Sequence, residues 1–162
     1  MPALKRHAAG WSIEGASTTV AIQQRYQVAV LTDFCNECGN CVTFCPAAGR
    51  PYHDKPRLYI NRREFEAETD NAFRAVRGPG SLTVQARMGG RTWSLRHEGA
   101  RLELSAPGLV ATLDAVSLQP VAMKAAAGDG PDTLSLAPVP GLWVLLNALR
   151  EDLAYIPVSE EA

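Results

Sequence analysis

The sequence predicts an α+β protein in which a loop-rich, metal-held module is followed by a small antiparallel β meander and a C-terminal helix. Four cysteines lie close together between Cys35 and Cys45, which indicates a metal-held loop. Beyond residue 80, apolar and polar residues alternate between glycine-containing turns, as in antiparallel strands. After Pro140, leucines recur at helical spacing. These three patterns place the module, the meander and the helix in that order along the chain.

Composition and charge exclude several classes of protein. Of 162 residues, 46% are hydrophobic and 20% are charged, which is ordinary globular usage and argues against a disordered or membrane protein. The 16 Lys and Arg against 17 Asp and Glu give a net charge of -1, too little positive charge to attract nucleic acid. The first residues lack the apolar run of a signal peptide, and no apolar stretch approaches the ~20 residues of a spanning helix. We therefore predict a cytoplasmic protein without nucleic-acid or membrane partners.

The first 61 residues are predicted to form a tail and one small module. Residues 1–17 are polar, small and aperiodic, so we expect a flexible N-terminal segment. Tyr26–Thr32 predicts a strand that leads into the cysteines, and a second short strand is expected at Arg57–Asn61. The glycine and prolines of 47–56 prevent a long helix between these strands. Residues 18–61 are therefore predicted to form the metal-held module.

Residues 62–80 are predicted to form a charged linker. They are rich in arginine and glutamate and end in Gly78-Pro79-Gly80, a run that interrupts regular structure. The remaining residues, 81–162, are predicted to form a β-rich domain with a C-terminal helix. The change from charged to alternating sequence marks the expected boundary between the two.

The register of the first hairpin follows from its turn. Gly89-Gly90 offers a two-residue turn between two alternating runs. This turn sets Ala86 opposite Trp93 and Val84 opposite Leu95, so that all four side chains share one face of the sheet. A slip of one residue would move one strand's apolar side chains to the other face, so the register is well specified.

The later elements are less strongly patterned. A second turn at Glu98-Gly99 would set Leu95 opposite Leu102, and Leu109–Val116 predicts a fourth strand. Val121–Pro131 is expected to be a loop rich in alanine and glycine. The C-terminal helix is expected to close the open face of the meander with one apolar stripe. That helix has Pro140 in its first turn, and the residues of the stripe are Leu142, Leu145, Leu146, Leu149 and Leu153.

The four cysteines have a specific spacing. Residues 33–46 read DFCNECGNCVTFCP, which is the C-x2-C-x2-C-x3-C-P run of bacterial iron–sulfur proteins. Short gaps let one loop wrap around a cubane, and Gly39, which has no Cβ, lets the backbone pass close to the inorganic core. Pro46 is expected to end the helical turn that carries the last cysteine. The predicted ligands of a [4Fe–4S] cluster are Cys35, Cys38, Cys41 and Cys45.

Other uses of these residues fit less well. Structural zinc sites usually pair two cysteine or histidine knuckles a dozen or more residues apart, and a redox dithiol is the remaining alternative. His53 follows Cys45 by eight residues and is expected to be a surface imidazole rather than a ligand. Arg50, Lys55 and Arg57 form a candidate basic patch for an acidic redox partner.

The segment Gln27–Ile60 resembles the second half of a two-cluster ferredoxin module. More narrowly, it is similar to the ferredoxin-like region near the C-terminus of large flavoproteins related to the glutamate synthase small subunit, often described as selenate reductase subunits. The resemblance implies a ferredoxin-like module that passes electrons between a flavin- and nicotinamide-binding redox domain or subunit and further redox partners. It is carried by this segment, and residues 78–162 contribute no motif to it. Catalysis is not expected from this chain alone.

The cysteine count departs from the two-cluster pattern. In such ferredoxins the fourth cysteine of each run binds the other run's cluster, and this chain has only four cysteines. An upstream half could be lost or lie on another chain, Cys45 could close a single cluster, or three cysteines could hold a cluster with one labile iron. We favour the first alternative, in which the chain is a fragment of a flavin-dependent enzyme.

Two functions therefore remain as hypotheses. The first is an iron–sulfur electron-transfer domain or subunit of a larger cytoplasmic oxidoreductase. The second is a structural iron–sulfur module with a β-rich domain that docks onto a partner protein. Reduction of the cluster by a low-potential donor distinguishes the two, because a structural cluster has no stable reduced state to form.

Overall fold

A mainly antiparallel sheet organises the part of the chain that the structure describes. The computed structural model describes residues 1–8, 10–15, 21, 28–45, 49–127 and 130–160. Its strands are β1 (Ala3–His7), β2 (Gly10–Glu14), β3 (Val30–Leu31), β4 (Arg57–Leu58), β5 (Ala72–Gly78), β6 (Ser81–Met88), β7 (Arg91–Glu98), β8 (Arg101–Ala106), β9 (Leu109–Leu113), β10 (Pro120–Ala125), β11 (Thr133–Ser135) and β12 (Ser159–Glu160). Its helices are α1 (Asn40–Phe44), α2 (Pro51–Asp54), α3 (Arg62–Ala67) and α4 (Val139–Asn147), with a 3-10 turn at Thr32–Phe34 and a π-helical turn at Ala148–Asp152.

The large sheet runs without a break from the meander to the cysteine-bearing segment. Its strand order is β10-β9-β8-β7-β6-β5-β4-β3, and β12 pairs with β5 outside this path. From β5 to β10, each pair of adjacent strands is antiparallel. By contrast, β3 is parallel to β4, and both β4 and β12 are parallel to β5. A second, three-stranded sheet has the order β11-β1-β2. The strand that enters the cysteine loop therefore belongs to the same sheet as the meander.

The predicted register of the first hairpin is confirmed. Ala86 pairs with Trp93 and Val84 with Leu95 across β6 and β7. All four side chains are buried on the face of the sheet that carries the core. The apolar alternation and the Gly89-Gly90 turn agree on one register, which is why the sequence could specify it.

The predicted register of the second hairpin is wrong by two residues. Leu95 pairs with Leu104 rather than Leu102, and Arg96 lies opposite Glu103. A slip of two residues keeps every side chain on its own face, so the apolar pattern cannot distinguish the two registers. The observed one places opposite charges across the strands, and cross-strand charge pairs stabilise a sheet.

Several segments predicted as irregular contain strands or helices. Residues 1–17, expected as a flexible segment, include β1 and β2, and Leu4 of β1 is fully buried. Residues 62–80, expected as a linker, include α3 and β5. Val121–Pro131, expected as a loop, overlaps β10, an edge strand whose side chains are mostly exposed. An edge strand held by main-chain pairing has no clear apolar alternation in its sequence, which explains why β10 was missed.

The structure tests the remaining strand and domain predictions only in part. The fourth strand is observed as β9, which ends earlier than expected at Leu113. Of the strand predicted at Tyr26–Thr32, only β3 and its flanks are described, because residues 22–27 lie outside the described residues. Pro46 also lies outside them. The division into a module of residues 18–61 and a domain of residues 81–162 stays a prediction.

Helix α4 covers the apolar face of the meander, as predicted. Pro140 lies in its first turn, where a missing N–H costs nothing. Leu142 and Leu146 are fully buried, as is Leu149 in the π-helical turn that follows. The helix lies against β6 and β7, so its leucines close the core above the central hairpin.

Two glycines allow the backbone to approach itself closely beside the small sheet. Gly108, with φ +74°, lies so near Gly130 that a Cβ on Gly130 would come 2.7 Å from the Gly108 Cα and 2.9 Å from the Pro107 carbonyl oxygen. The Trp11 indole N–H donates to the Gly108 carbonyl at 2.9 Å, and Arg6 donates to the Gly130 carbonyl at 3.1 Å. These contacts attach the β8–β9 turn to the small sheet.

Replacing Gly130 with alanine is expected to destabilise the fold. The new methyl group meets backbone atoms that cannot rotate away, so we expect a loss of about 1–3 kcal/mol in the free energy of unfolding. Urea denaturation measures it. Gly141→Ala is the matched control, because a Cβ there meets nothing within 4 Å and alanine favours the α4 helix. Equal stability of the two variants would contradict the close approach.

His97 joins the sheet to the C-terminal turn. Its Nε2 accepts a hydrogen bond from Arg150 Nη1 at 2.6 Å, which requires a neutral ring because arginine has no acceptor. The ring also stacks on Trp143, with centroids 6.4 Å apart. Burial and the charge of Arg150 lower the pKa of His97 from its ordinary value. The unfolded chain therefore binds a proton at this site more readily than the folded protein does.

We expect the free energy of unfolding to fall as the pH drops from about 7.5 to about 5.5, through the ordinary histidine pKa of about 6.5. The sign follows from the lowered pKa, since stability is complete above the unfolded pKa and is lost below it. Urea denaturation across this range measures the slope. His97→Gln should flatten the slope, whereas Val121→Ala, at an exposed position without a titratable side chain, should leave it unchanged. The same slope in both variants would exclude His97 as its source.

Candidate metal centre

The entrance to the cysteine loop is attached to β4. Asp33 Oδ2 accepts a hydrogen bond from the Ile60 N–H at 2.8 Å. The Thr32 hydroxyl donates to the Leu58 carbonyl oxygen at 3.2 Å. Because β3 and β4 are parallel neighbours, these bonds lie where both strands end. They hold the 3-10 turn, and with it the position of Cys35, against the sheet.

The loop itself is shaped by short-range hydrogen bonds. The Cys38 N–H donates to Asn36 Oδ1 at 3.2 Å, and the Cys45 N–H donates to the Cys41 carbonyl oxygen at 2.9 Å. Gly39 has φ +79° immediately before α1, a conformation that glycine adopts without strain. A Cβ on Gly39 would meet no protein atom within 4 Å, so the backbone angle is the visible reason for this glycine.

The four predicted ligands line one cavity. It has a volume of about 490 Å³ and lies between β3, the cysteine loop and the start of α2. Cys38 is exposed and the other three thiols are half-buried. Cys41 projects from α1 and Cys45 follows its end, so one short helix presents two of the four sulfurs. The structure thus brings all four cysteines to a single concave site.

The four cysteines are spaced for a cluster rather than for a single metal ion. Within the described residues, no group of three or more Cys, His, Asp or Glu side chains is arranged to hold a single metal ion. In a cubane each thiolate binds a different iron, so its four sulfurs stand further apart than the ligands of one ion. Four thiolates around a cavity fit the soft donor chemistry of an iron–sulfur cluster. The assignment of the four cysteines as its ligands stays a prediction.

Large apolar side chains are exposed beside the cysteines. Phe34 is 74% exposed and Phe44 is 83% exposed, and Val42 between them in the loop is also exposed. Exposed aromatic groups at one place on a surface are typical of a binding area. Sequence reasoning missed this area: each phenylalanine directly precedes a cysteine, but only the fold shows that both side chains are exposed.

The candidate basic patch is largely neutralised. Arg57 donates two hydrogen bonds to the Glu68 carboxylate, at 3.3 and 3.1 Å, and the Tyr59 hydroxyl donates to the same carboxylate at 2.8 Å. Burial and this bond to Glu68 raise the pKa of Tyr59 above its ordinary value. Arg50 Nη2 lies 3.6 Å from Asp54 Oδ1 and forms an ion pair with it. Two of the three cations thus have acidic partners, which weakens the prediction of an acidic docking partner at this patch.

His53 takes part in a separate contact. Its Nδ1 lies 2.8 Å from Asp54 Oδ1, while the Arg50 N–H donates to Asp54 Oδ2 at 2.7 Å. These hydrogen bonds lower the pKa of Asp54 to about 2, and the bond from the Arg50 backbone N–H has the larger effect. The residues that line the cysteine cavity do not include His53. Its position agrees with the prediction of a surface imidazole.

A second cavity shares a wall with the first. It has a volume of about 590 Å³, lies between β3, β4 and α4, and is lined by apolar residues. Val28, Ala29 and Leu31 border both cavities. No sequence pattern indicates this cavity, because its lining residues come from distant parts of the chain. No helix in the described segments is long and apolar enough to cross a membrane.

Comparison with known proteins finds distant similarity to part of this chain. Over 83 residues, 49% of this chain, the sequence is 32% identical to the protein named "Putative oxidoreductase YgfK" from Escherichia coli strain K12. The protein of the same name from Escherichia coli O157:H7 matches equally. The match covers 8% of the length of each relative. No family model and no solved structure matches the chain.

Proposed function

We propose that this chain is an electron-transfer part of an oxidoreductase and holds one [4Fe–4S] cluster. The observation that carries the proposal is the placement of all four cysteines of a C-x2-C-x2-C-x3-C run around one cavity. The similarity to a protein named an oxidoreductase supports a redox role. The short match to a much longer relative supports a role as one part of a larger enzyme.

We further propose that Cys45 binds the same cluster as the other three cysteines. Cys45 borders the same cavity as Cys35, Cys38 and Cys41. The hydrogen bond from the Cys45 N–H to Cys41 also keeps it next to α1. This arrangement favours closure of a single cluster over the alternative in which Cys45 reaches a second cluster on another chain.

When bound, the cluster supplies one-electron oxidation and reduction. The chain's own residues hold the thiolates in place and set the charge around them. Asp33 and the α1 helix position the loop, while Glu37 places a carboxylate within it. Negative charge near a cluster lowers its reduction potential, because reduction adds a further electron. We therefore propose that Glu37 lowers the potential.

The partner is proposed to be a flavin- and nicotinamide-binding redox domain or subunit. A redox partner has to approach the cysteine loop, and Phe34, Val42 and Phe44 are large exposed apolar groups within it. Electron-transfer contacts are usually small, so a few exposed side chains can provide much of the interface. We propose a cytoplasmic location, since a reducing compartment keeps clustered thiols available for iron.

Anaerobic reconstitution tests the proposal. The purified chain, incubated with iron and sulfide, is expected to bind about four irons and about four sulfides, as a [4Fe–4S] cluster requires. Reduction with dithionite should then bleach the visible absorption and give the electron paramagnetic resonance signal of a reduced cubane. Bound zinc without iron would contradict the proposal that the chain holds an iron–sulfur cluster. A cluster that cannot be reduced while the protein stays folded would favour the structural alternative instead.

A further inference from the structure

The face of the large sheet that points away from the core carries an unusual pair of arginines. Arg74 of β5 pairs with Gln85 of β6, and Ala72 pairs with Arg87, so both arginines project from the same face. They stand diagonally across the two strands, a spacing that long side chains bridge. Arg74 is only 8% exposed, whereas Arg87 is half-buried and thus reachable from solvent.

Among the described residues, no carboxylate forms a direct contact with either guanidinium group. Arg74 donates one hydrogen bond, from Nη1 to Gln85 Oε1 at 3.2 Å, and its buried Nε has no partner. The Nε of Arg87 is also buried without a partner. Within the described part of the chain, neither residue takes part in an ion pair. Two buried or half-buried cations without a counter-charge are costly, because desolvation is not offset.

The surrounding acids do not offset this charge. Glu66 of α3 lies within electrostatic reach of Arg62, Arg74 and Arg87, but its carboxylate accepts its hydrogen bond from Arg62 at 2.7 Å. One carboxylate thus faces three guanidinium groups, which leaves two positive charges in excess. Burial also lowers the pKa of Arg74, and the charge of Arg62 adds to this effect.

The other acids next to α3 have partners of their own. Glu68 binds Arg57 and Tyr59, and Asp70 accepts a hydrogen bond from the Gly89 N–H at 2.8 Å. They are therefore already committed to contacts outside the arginine pair. The local charge imbalance is not removed by a side chain of the described structure.

Neutral hydrogen-bonding groups continue the row of arginines across the sheet. Gln85 pairs with Ser94 of β7, and Arg87 pairs with Thr92, so two hydroxyl groups lie on the same face. Thr92 is exposed and Ser94 is half-buried. Guanidinium groups with nearby hydroxyls are the donors that proteins use for phosphate, since arginine offers two parallel N–H bonds to its oxygens.

We propose that Arg74 and Arg87, with Thr92 and Ser94 beside them, form a binding site for a phosphate group carried by a small molecule. The phosphate supplies the missing negative charge and accepts hydrogen bonds from the terminal Nη groups of the two arginines, because their Nε atoms are buried beneath the surface. The site lies on the opposite face of the sheet from α4 and is independent of the cysteine loop. Phosphate binding at this site does not require an iron–sulfur cluster in the chain.

Binding of pyrophosphate to the full chain tests the site. Thermal denaturation is followed in sodium pyrophosphate and in sodium chloride of equal ionic strength, and calorimetric titration gives the dissociation constant. We expect a saturable rise in the melting temperature with pyrophosphate, because a ligand that binds only the folded state stabilises it. Arg87→Gln, at the more accessible position, should weaken binding at least tenfold, and Arg74→Gln should do the same if it folds.

Arg63→Gln is the matched control. It removes one exposed arginine of α3 and leaves the charge of the chain the same as in Arg87→Gln. It should bind pyrophosphate as the unaltered protein does. A melting temperature that responds equally to both salts would overturn the site, as would unchanged binding by Arg87→Gln. Titration with adenosine diphosphate distinguishes the source of the phosphate, since tighter binding than pyrophosphate indicates a nucleotide and equal binding a free diphosphate.

Discussion

Replacing Cys41 with serine is expected to abolish binding of the proposed [4Fe–4S] cluster while leaving the sheet folded. Cys41 lies on α1 and borders the cavity shared by all four cysteines. Serine is a poor ligand for iron in place of a thiolate, since soft sulfur donors hold iron–sulfur clusters. We expect the iron content after reconstitution to fall from about four per chain to near zero, with loss of the visible absorption.

The same substitution at Cys45 tests how many clusters the four cysteines form. If all four thiolates hold one cluster, Cys45→Ser loses iron as Cys41→Ser does. If three cysteines suffice, Cys45→Ser keeps a cluster with fewer irons, which has a distinct electron paramagnetic resonance signal in its oxidised form. Thr43→Ser is the matched control, because Thr43 lies on the same helix with its side chain exposed. Retention of about four irons by Cys45→Ser would contradict the single four-cysteine cluster.

The fold was predictable where two independent signals agreed. In the first hairpin, the Gly89-Gly90 turn and the apolar alternation require the same register, and the structure has it. In the second hairpin the apolar pattern allows two registers, and the pairing of Arg96 with Glu103 distinguishes them. Cross-strand charge pairs contribute only about 0.2–1 kcal/mol each, so they are weak signals in a sequence.

Elements that depend on distant partners were not predictable. Strand β1 pairs with β11, more than a hundred residues later, so no local pattern indicates that Leu4 is buried. One face of strand β5 carries Arg74, so its segment has the charged composition of a solvated linker. Tertiary pairing overrides local propensity in both cases.

The candidate metal site was visible in the sequence because its residues are adjacent in the chain. The spacing from Cys35 to Cys45 carries the whole signal. By contrast, the arginine pair comes from two strands, and its unpaired charge becomes evident only when Glu66 is seen to bind Arg62. The exposure of Phe34 and Phe44 likewise requires the fold, since phenylalanine is usually buried.

Replacing Leu146 with alanine is expected to destabilise the whole described sheet. Leu146 is fully buried where α4 lies against the central hairpin, and its removal leaves a cavity that the close-packed core cannot fill. We expect a loss of about 2–5 kcal/mol in the free energy of unfolding, measured by urea denaturation. Val116→Ala is the control, because Val116 is 93% exposed and its truncation should change stability by less than about 0.5 kcal/mol.

The same variant tests whether the predicted module and the predicted β-rich domain unfold together. Strands β3 and β4 continue the sheet that α4 covers, and Leu31 packs against the same core as Leu146. In the reconstituted protein we therefore expect cluster absorption and circular dichroism to be lost in one transition, shifted equally by Leu146→Ala. A cluster signal that persists after the sheet has melted would show that residues 18–61 fold independently. A single shifted transition would mean that the cysteine loop depends on the leucine core for its stability.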